Sequence, residues 1–220
     1  MRRQTTTIIR IVTCVAIVLL ITASARAEQT LVYKSAEGST IRLEGTSTAH
    51  RWTVNGRQLD GTTAFRLDLP DGASSAQIKQ ALVTNPKATA QVAIPSRTLK
   101  GENKEMDKKM YEVLKTKEHP QIDYNLIDVR VLGDDDSSAT SFQLQTTGEL
   151  TIAGTTRTLD MPMTIEVLDA QHLKISARLA IKMSDYNVER PTTLGGLIKA
   201  GDKVEVQVAW FATRAALDSP

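Results

Sequence analysis

Leu173-Lys174-Ile175-Ser176-Ala177-Arg178-Leu179-Ala180-Ile181-Lys182 is the stretch that decides the fold. Leu173, Ile175, Ala177, Leu179 and Ile181 take every second place, against Lys174, Ser176, Arg178 and Lys182. Side chains of a strand point to opposite faces with period two, so this run reads as a strand with one apolar face. The same alternation recurs along the chain. Ile41 and Leu43 face away from Arg42 and Glu44, and Phe65, Leu67 and Leu69 from Arg66 and Asp68. Val92 and Ile94 follow, with Pro95 weakening the far end of their strand. Then come Ile122, Tyr124 and Leu126; Phe142 and Leu144, continued by Leu150 and Ile152; Leu159, Met161, Met163, Ile165 and Val167; and finally Val204, Val206, Val208 and Trp210.

Turn signals separate these runs: Asn55-Gly56, Asp60-Gly61, Asp71-Gly72, Ala153-Gly154-Thr155, Gly195-Gly196 and Gly201-Asp202. Gly133 followed by Asp134, Asp135 and Asp136 reads as a solvated loop, because it lacks the ligand spacing of a calcium loop. About eight short strands with frequent turns indicate an all-β barrel or sandwich. The barrel is preferred, because closure removes exposed edges. One segment departs from period two. Met106, Met110, Val113 and Leu114 share one face of a short helix over about 104–116, with lysines and glutamates on the other. Asn103 caps its start and Pro120 prevents its continuation. This helix is expected either to lie across the barrel surface or to close one mouth.

Residues 1–27 are set apart from the fold. Arg2, Arg3 and Arg10 precede an apolar run from Ile11 to Ile21, and Ala25-Arg26-Ala27 ends it. That order is a secretory signal, with cleavage expected before Glu28. The run is short for a bilayer span, so the released product is not expected to cross a membrane. The chain has 27 basic and 25 acidic residues, and four of the basic ones lie in this segment. Residues 28–220 therefore carry 23 against 25, a net charge of −2, and retain no basic footprint for nucleic acid. Cys14, the only cysteine, also lies in the segment, so the released domain has no disulfide or thiol chemistry. Residues 28–220 are read as one domain, with loose ends at Glu28–Thr30 and Ala215–Pro220.

Motifs for catalysis are missing. His50, His119 and His172 are far apart and share no metal-ligand spacing. There is no nucleophile elbow, phosphate-cradling glycine loop or dinucleotide fingerprint. The chain is read as a non-enzyme with no cofactor and no metal.

Several ordered segments resemble the YceI-like family of secreted lipid-binding proteins. They are Gly45-Thr46-Ser47-Thr48-Ala49-His50-Arg51-Trp52; Leu99-Lys100-Gly101 with Asn103, Met106-Asp107, Met110-Tyr111 and His119-Pro120; Leu150-Thr151-Ile152-Ala153-Gly154 with Thr156-Arg157; and Met183-Ser184-Asp185-Tyr186-Asn187-Val188, followed by Gly201-Asp202-Lys203-Val204. Ala49, Arg51 and Tyr186 depart from the usual pattern, which bears on ligand preference rather than membership. The resemblance implies an extended, lipocalin-like antiparallel barrel holding a long amphiphile, a polyisoprenoid or isoprenoid quinone. It also implies a periplasmic or secreted location and, often, a homodimer.

The expected lipid wall comprises Trp52, Leu144, Leu150, Ile152, Ile175, Leu179, Val206, Val208 and Trp210. Few of these are aromatic, which leaves room for a flexible chain in a barrel of this size. His50, Arg157, Asp185 and Tyr186 are candidates for the head group by motif position and polarity. Each also has a plain reading: His50 as a core partner of Trp52, Asp185 as a turn cap, Arg157 as a solvated side chain. The second reading of the whole domain is a solid-barrel interaction module that holds no ligand.

Overall fold

The computed structural model describes residues 28–70, 72–133 and 138–216. The expected signal segment with Cys14 and the Asp134–Asp136 loop lie outside them. The strands are β1 (Glu28–Ser35), β2 (Thr40–Ser47), β3 (Arg51–Gly56), β4 (Asp60–Asp68), β5 (Ala88–Pro95), β6 (Gln121–Gly133), β7 (Ser141–Ile152), β8 (Thr155–Val167), β9 (His172–Lys182), β10 (Thr192–Thr193) and β11 (Ile198–Arg214). The helices are α1 (Ser75–Thr84) and α2 (Lys104–Val113).

All strand pairs are antiparallel, and the order closes into a barrel through β1 and β11. β1 and β2 run in succession along the same edge of β11, at Ala212–Arg214 and Ala200–Ala209 respectively. On their other side β1 pairs with β4 and β2 with β3. The two act as one long strand broken at 36–39, and β3 with β4 as another broken at 57–59. The wall is thus an up-and-down meander of eight strands, as the alternation predicts.

The two ends of the barrel differ. At one end the interior is solid: Leu31, Tyr33, Leu67, Phe142, Val167 and Leu173 are each almost wholly buried. Tyr33 and Phe65 meet edge to face, with ring centres 6.1 Å apart. Helix α1 plugs this end with Ile78 and Leu82, both 1% exposed. At the other end the wall parts twice. The β4–β5 ladder stops at Asp60 and Ala93, and only a bridge from Asn55 to Lys100 joins the flanks beyond. The β8–β9 ladder stops at Met163, next to Pro162, which has no N–H to donate. Helix α2 covers the first opening, and the turn Met183–Tyr186 covers the second.

Several expectations are corrected. Two helices are present among the described residues, not one. The missed α1 has only Ile78 and Leu82 as strongly apolar contacts, but its start carries a readable capping box, Ser74 with Gln77. Helix α2 ends at Val113 rather than Thr116. Lys115 takes a left-handed conformation, and Thr116 N–H and Lys115 N–H return to the carbonyls of Tyr111 and Glu112, a Schellman ending. Asp60-Gly61 opens β4, and Gly201-Asp202 is an irregularity inside β11; neither is a turn between strands. Glu28 is already paired with Asp68 in β1, so this end is not loose. In β6 an extra residue at Ile127 shifts the register, which turns that side chain outward and brings Val129 in.

Replacing Leu82 by Ala should lower unfolding free energy by about 2–5 kcal/mol, the range for a buried leucine truncated in a packed core. Urea denaturation measures this. A loss well below 1 kcal/mol would show that α1 is not the plug described.

Candidate lipid-binding interior

The interior is hollow where the end plug stops. An inner chamber of about 120 Å³ presents only apolar surface and is bordered by Leu144, Ile175, Leu179, Val208 and Trp210, among others. An outer chamber of about 400 Å³ runs from there to the mouth. Its walls come from β2 and β3 (Ile41, Leu43, Trp52, Val54), from α2 (Met106, Met110, Val113) and from the segment around Tyr186 and Val188. Ile94, Leu150 and Val206 border both chambers, so the two adjoin at these side chains.

Local chemistry explains each wall. Trp52 lies flat across the β2–β3 hairpin because Gly45 opposite has no side chain; a β-carbon there would collide with the indole. The indole N–H donates to the Thr46 carbonyl at 2.9 Å, which leaves an apolar ring face toward the chamber. Tyr124 packs in the same way over Gly148 and donates to Thr146 Oγ1 at 3.2 Å, and Thr146 donates to the Met161 carbonyl at 2.9 Å. This internal polar pair is satisfied without a ligand.

Helix α2 is a cover held along one edge. No residue in it is buried. Asn103 accepts from Met106 N–H at 2.9 Å, and Asp107 accepts from Gly101 N–H at 2.6 Å. The Tyr111 hydroxyl accepts from Lys100 Nζ at 2.7 Å and lies 2.9 Å and 2.8 Å from the carbonyls of Arg97 and Leu99. Met106, Met110, Val113 and Leu114, the apolar face read from the sequence, all border the outer chamber. The helix therefore closes a mouth. Thioethers suit such a wall because they repack around differently shaped apolar groups.

Nine of the eleven site residues expected from sequence border the chambers: Trp52, Ile152, Tyr186 and His50 the outer one, Leu144, Ile175, Leu179 and Trp210 the inner one, and Val206 both. Arg157 and Asp185 border neither. The Arg157 guanidinium donates to the backbone carbonyl of Asp185 at 2.7 Å, on the outside, where it ties β8 to the turn after β9. His50 is exposed at the mouth rather than a core partner of Trp52. Around it the rim is polar, with Ser47, Glu102, Asn103, Glu105 and Lys109. Tyr186 is 3% exposed, and its hydroxyl has no hydrogen bond among the described residues. Burial, helped by the nearby Asp185 carboxylate, holds its phenol above the usual tyrosine range, so it stays a neutral donor.

Sequence reasoning missed most of the outer chamber. Ile41, Leu43 and Ile181 read only as strand residues, while Val188 and Ile198 sit in segments with no period. A separate open groove of about 530 Å³ crosses the outside of the sheet, with a mixed lining in which Arg42, Gln143, Arg178 and Gln207 stand beside Pro162 and Met163. Among the described residues no group of three or more His, Cys, Asp or Glu side chains could hold a metal ion. No helix among them is long and apolar enough to cross a membrane.

The model of the YceI-like domain matches residues 34–211. The chain belongs to the YceI-like family. Solved structures agree on the fold. BcnA of Burkholderia cenocepacia superposes with a TM-score of 0.58 at 18% identity, over 80% of this chain and 96% of that one. A polyisoprenoid binding domain from Saccharophagus degradans, implicated in plant cell wall breakdown, gives 0.58 at 13% identity, over 85% and 100%. The Campylobacter jejuni YceI protein gives 0.51 at 18% identity, over 74% and 85%. No curated protein sequence matches this YceI-like chain at a significant level.

The turn that carries Tyr186 depends on Asp202, which accepts from Ser184 N–H at 2.9 Å and Ser184 Oγ at 2.7 Å. These bonds hold the Asp202 carboxyl below its usual range. A lowered carboxylate stabilises the fold fully above its unfolded value and loses that contribution as pH falls through the native one. The protection factor of the Ser184 amide, taken against its intrinsic exchange rate at each pH, should therefore fall in acid, and at neutral pH in Asp202→Ala. Equal protection in variant and wild type at neutral pH would refute this role.

Proposed function

We propose that this YceI-like protein is a secreted or periplasmic binding protein that holds a long amphiphilic lipid, a polyisoprenoid or isoprenoid quinone, in its barrel. The tail occupies the two chambers and the head group stays at the rim. One observation carries the reading: the wholly apolar inner chamber adjoins, at Ile94, Leu150 and Val206, a larger chamber that ends at a polar mouth under α2. Pockets that enclose small ligands commonly span about 300–1,000 Å³. Each Å² of tail removed from water contributes roughly 25 cal/mol, so an isoprenoid needs few polar anchors. The polyisoprenoid binding domain of Saccharophagus degradans supports this ligand class through shared fold. The amino-terminal segment supports export. The reading involves no catalytic step, cofactor or nucleic acid, and transport, storage and sequestration are all compatible with it.

Native mass spectrometry of the protein, purified without detergent after export from a bacterial host, tests this. The expected result is a chain starting at Glu28 with a discrete added mass that extracts into organic solvent as an isoprenoid. A bare mass, unchanged after incubation with quinones and prenyl phosphates, would overturn it in favour of a ligand-free interaction module. Val206→Trp, at the junction of the chambers, and Leu179→Trp, in the inner one, should lower loading by about tenfold while thermal unfolding remains cooperative. Undiminished loading in both variants would place the ligand elsewhere.

A further inference from the structure

The surface beside the mouth has a character of its own. β10 and the start of β11 form a hairpin whose tip is Leu194-Gly195-Gly196-Leu197. Gly195 and Gly196 have φ of 66° and 95°, values that suit glycine and allow so tight a tip. Leu197 is 81% exposed, more than any other large hydrophobic residue among those described. A single exposed leucine is ordinary on a protein surface. Three further observations give this one a direction.

The hairpin is part of the cavity wall. Pro191, Thr193, Ile198 and Ala200 border the outer chamber, so the tip projects from its rim. The hairpin is also tied to the opposite turn. Thr48 N–H donates to the Lys199 carbonyl at 3.0 Å, and Thr48 Oγ1 donates to the Leu197 carbonyl and accepts from Lys199 N–H, both at 3.2 Å. Finally, the charge of the joined segments is one-sided. Over 47–51 and 190–200 the ionisable side chains are His50, Arg51, Arg190 and Lys199, all exposed, and no Asp or Glu occurs. Arg51 and Lys199 make no ion pair among the described residues. The flanking carboxylates, Glu189 and Asp202, lie at the base of the hairpin, where Asp202 is engaged by Ser184 and also feels Arg190, while Glu102 and Glu105 border the mouth around the start of α2 and belong to neither joined segment.

We propose that this rim docks on an anionic bilayer. Leu197 enters the boundary between head groups and acyl chains, while Arg51, Arg190 and Lys199 lie against lipid phosphates. The proposal rests on the lipid-carrier reading, since it presents the mouth of the cavity to the source of its cargo. Each basic side chain near such a surface strengthens binding about fivefold, and one buried leucine adds about tenfold. Contact on this scale is weak and reversible, as a carrier that must leave again requires.

Sedimentation with vesicles tests the proposal, using phosphatidylethanolamine with phosphatidylglycerol against pure phosphatidylcholine. The exported protein should bind the anionic vesicles and be released by salt. Leu197→Asp and the pair Arg51→Glu with Lys199→Glu should each lose about tenfold or more. Leu197→Trp should bind at least as well, with a blue shift of its fluorescence on vesicles. Equal binding of wild type and Leu197→Asp would overturn the proposal. So would self-association that depends on Leu197, seen by analytical ultracentrifugation in the absence of vesicle binding, which would make a second copy the occupant. Loading from detergent micelles separates the two readings. Leu197→Asp should load normally there, because Leu197 does not border the cavity. Failure of the wild type to load from micelles would count against the carrier reading and leave vesicle binding to be judged by itself.

Discussion

Two serine hydroxyls hold the seam on which the barrel depends. Where β11 passes from β1 to β2, the Ser39 Oγ accepts from Phe211 N–H at 3.0 Å and lies 2.9 Å from the Ala36 carbonyl and 3.2 Å from that of Phe211. Four residues away, Ser35 Oγ accepts from Gly61 N–H at 2.8 Å and from the Trp210 indole at 2.9 Å. Buried backbone groups left without a partner cost about 1–3 kcal/mol each. A break in two adjacent strands would strand several of them. Side-chain hydroxyls satisfy these groups, so the sheet changes direction at the seam and still closes. Everything beyond it follows from that change, because β2 and β3 diverge from the line of β1 and β4 and leave an opening beside β5.

The distribution of bulk follows the same division. The chain has nine aromatic residues, too few to fill an eight-stranded barrel along its whole length. Tyr33, Phe65 and Phe142 pack the end closed by α1, and Trp210 and Tyr124 sit at mid-height. Beyond them the wall is aliphatic, apart from Trp52 and Tyr186 near the mouth. Leu43, Met106, Met110, Leu150, Ile181 and Met183 are only half-buried, and all six border the outer chamber. Part of their apolar surface therefore faces the cavity. The solid half supplies stability, and the hollow half is free to take its shape from what fills it.

How much of this is legible in the sequence follows from the signals available. β9 and β11 read clearly because one face is buried and the other solvated, so period two is undisturbed. Their residues Ile175, Leu179, Val206 and Trp210 lie on the inner face, as the alternation predicts. The face of α2 is legible for the same reason at a helical period. β1 is hidden because Val32 interrupts the contrast between Leu31, Tyr33 and their neighbours. The bulge at Ile127 cannot be read, since an extra residue leaves composition unchanged and alters only parity. Arg157 and Asp185 stand out by motif position, and position alone does not say which face a side chain takes. The mouth itself combines β2, β3, α2 and the Tyr186 segment, and no local pattern reports which loops converge.

The hollow half has an energetic consequence. Left unfilled, an apolar chamber of about 120 Å³ leaves the side chains that line it short of packing partners, which costs stability. Water does not relieve this cost, because an apolar chamber of this size offers it no hydrogen bonds. On the proposed function, a tail that reached past Val206 would restore the missing contacts, whereas one confined to the outer chamber would not. The rim around His50 and the Tyr186 hydroxyl would then meet the head group, and the chamber behind Val206 would set how long a tail fits.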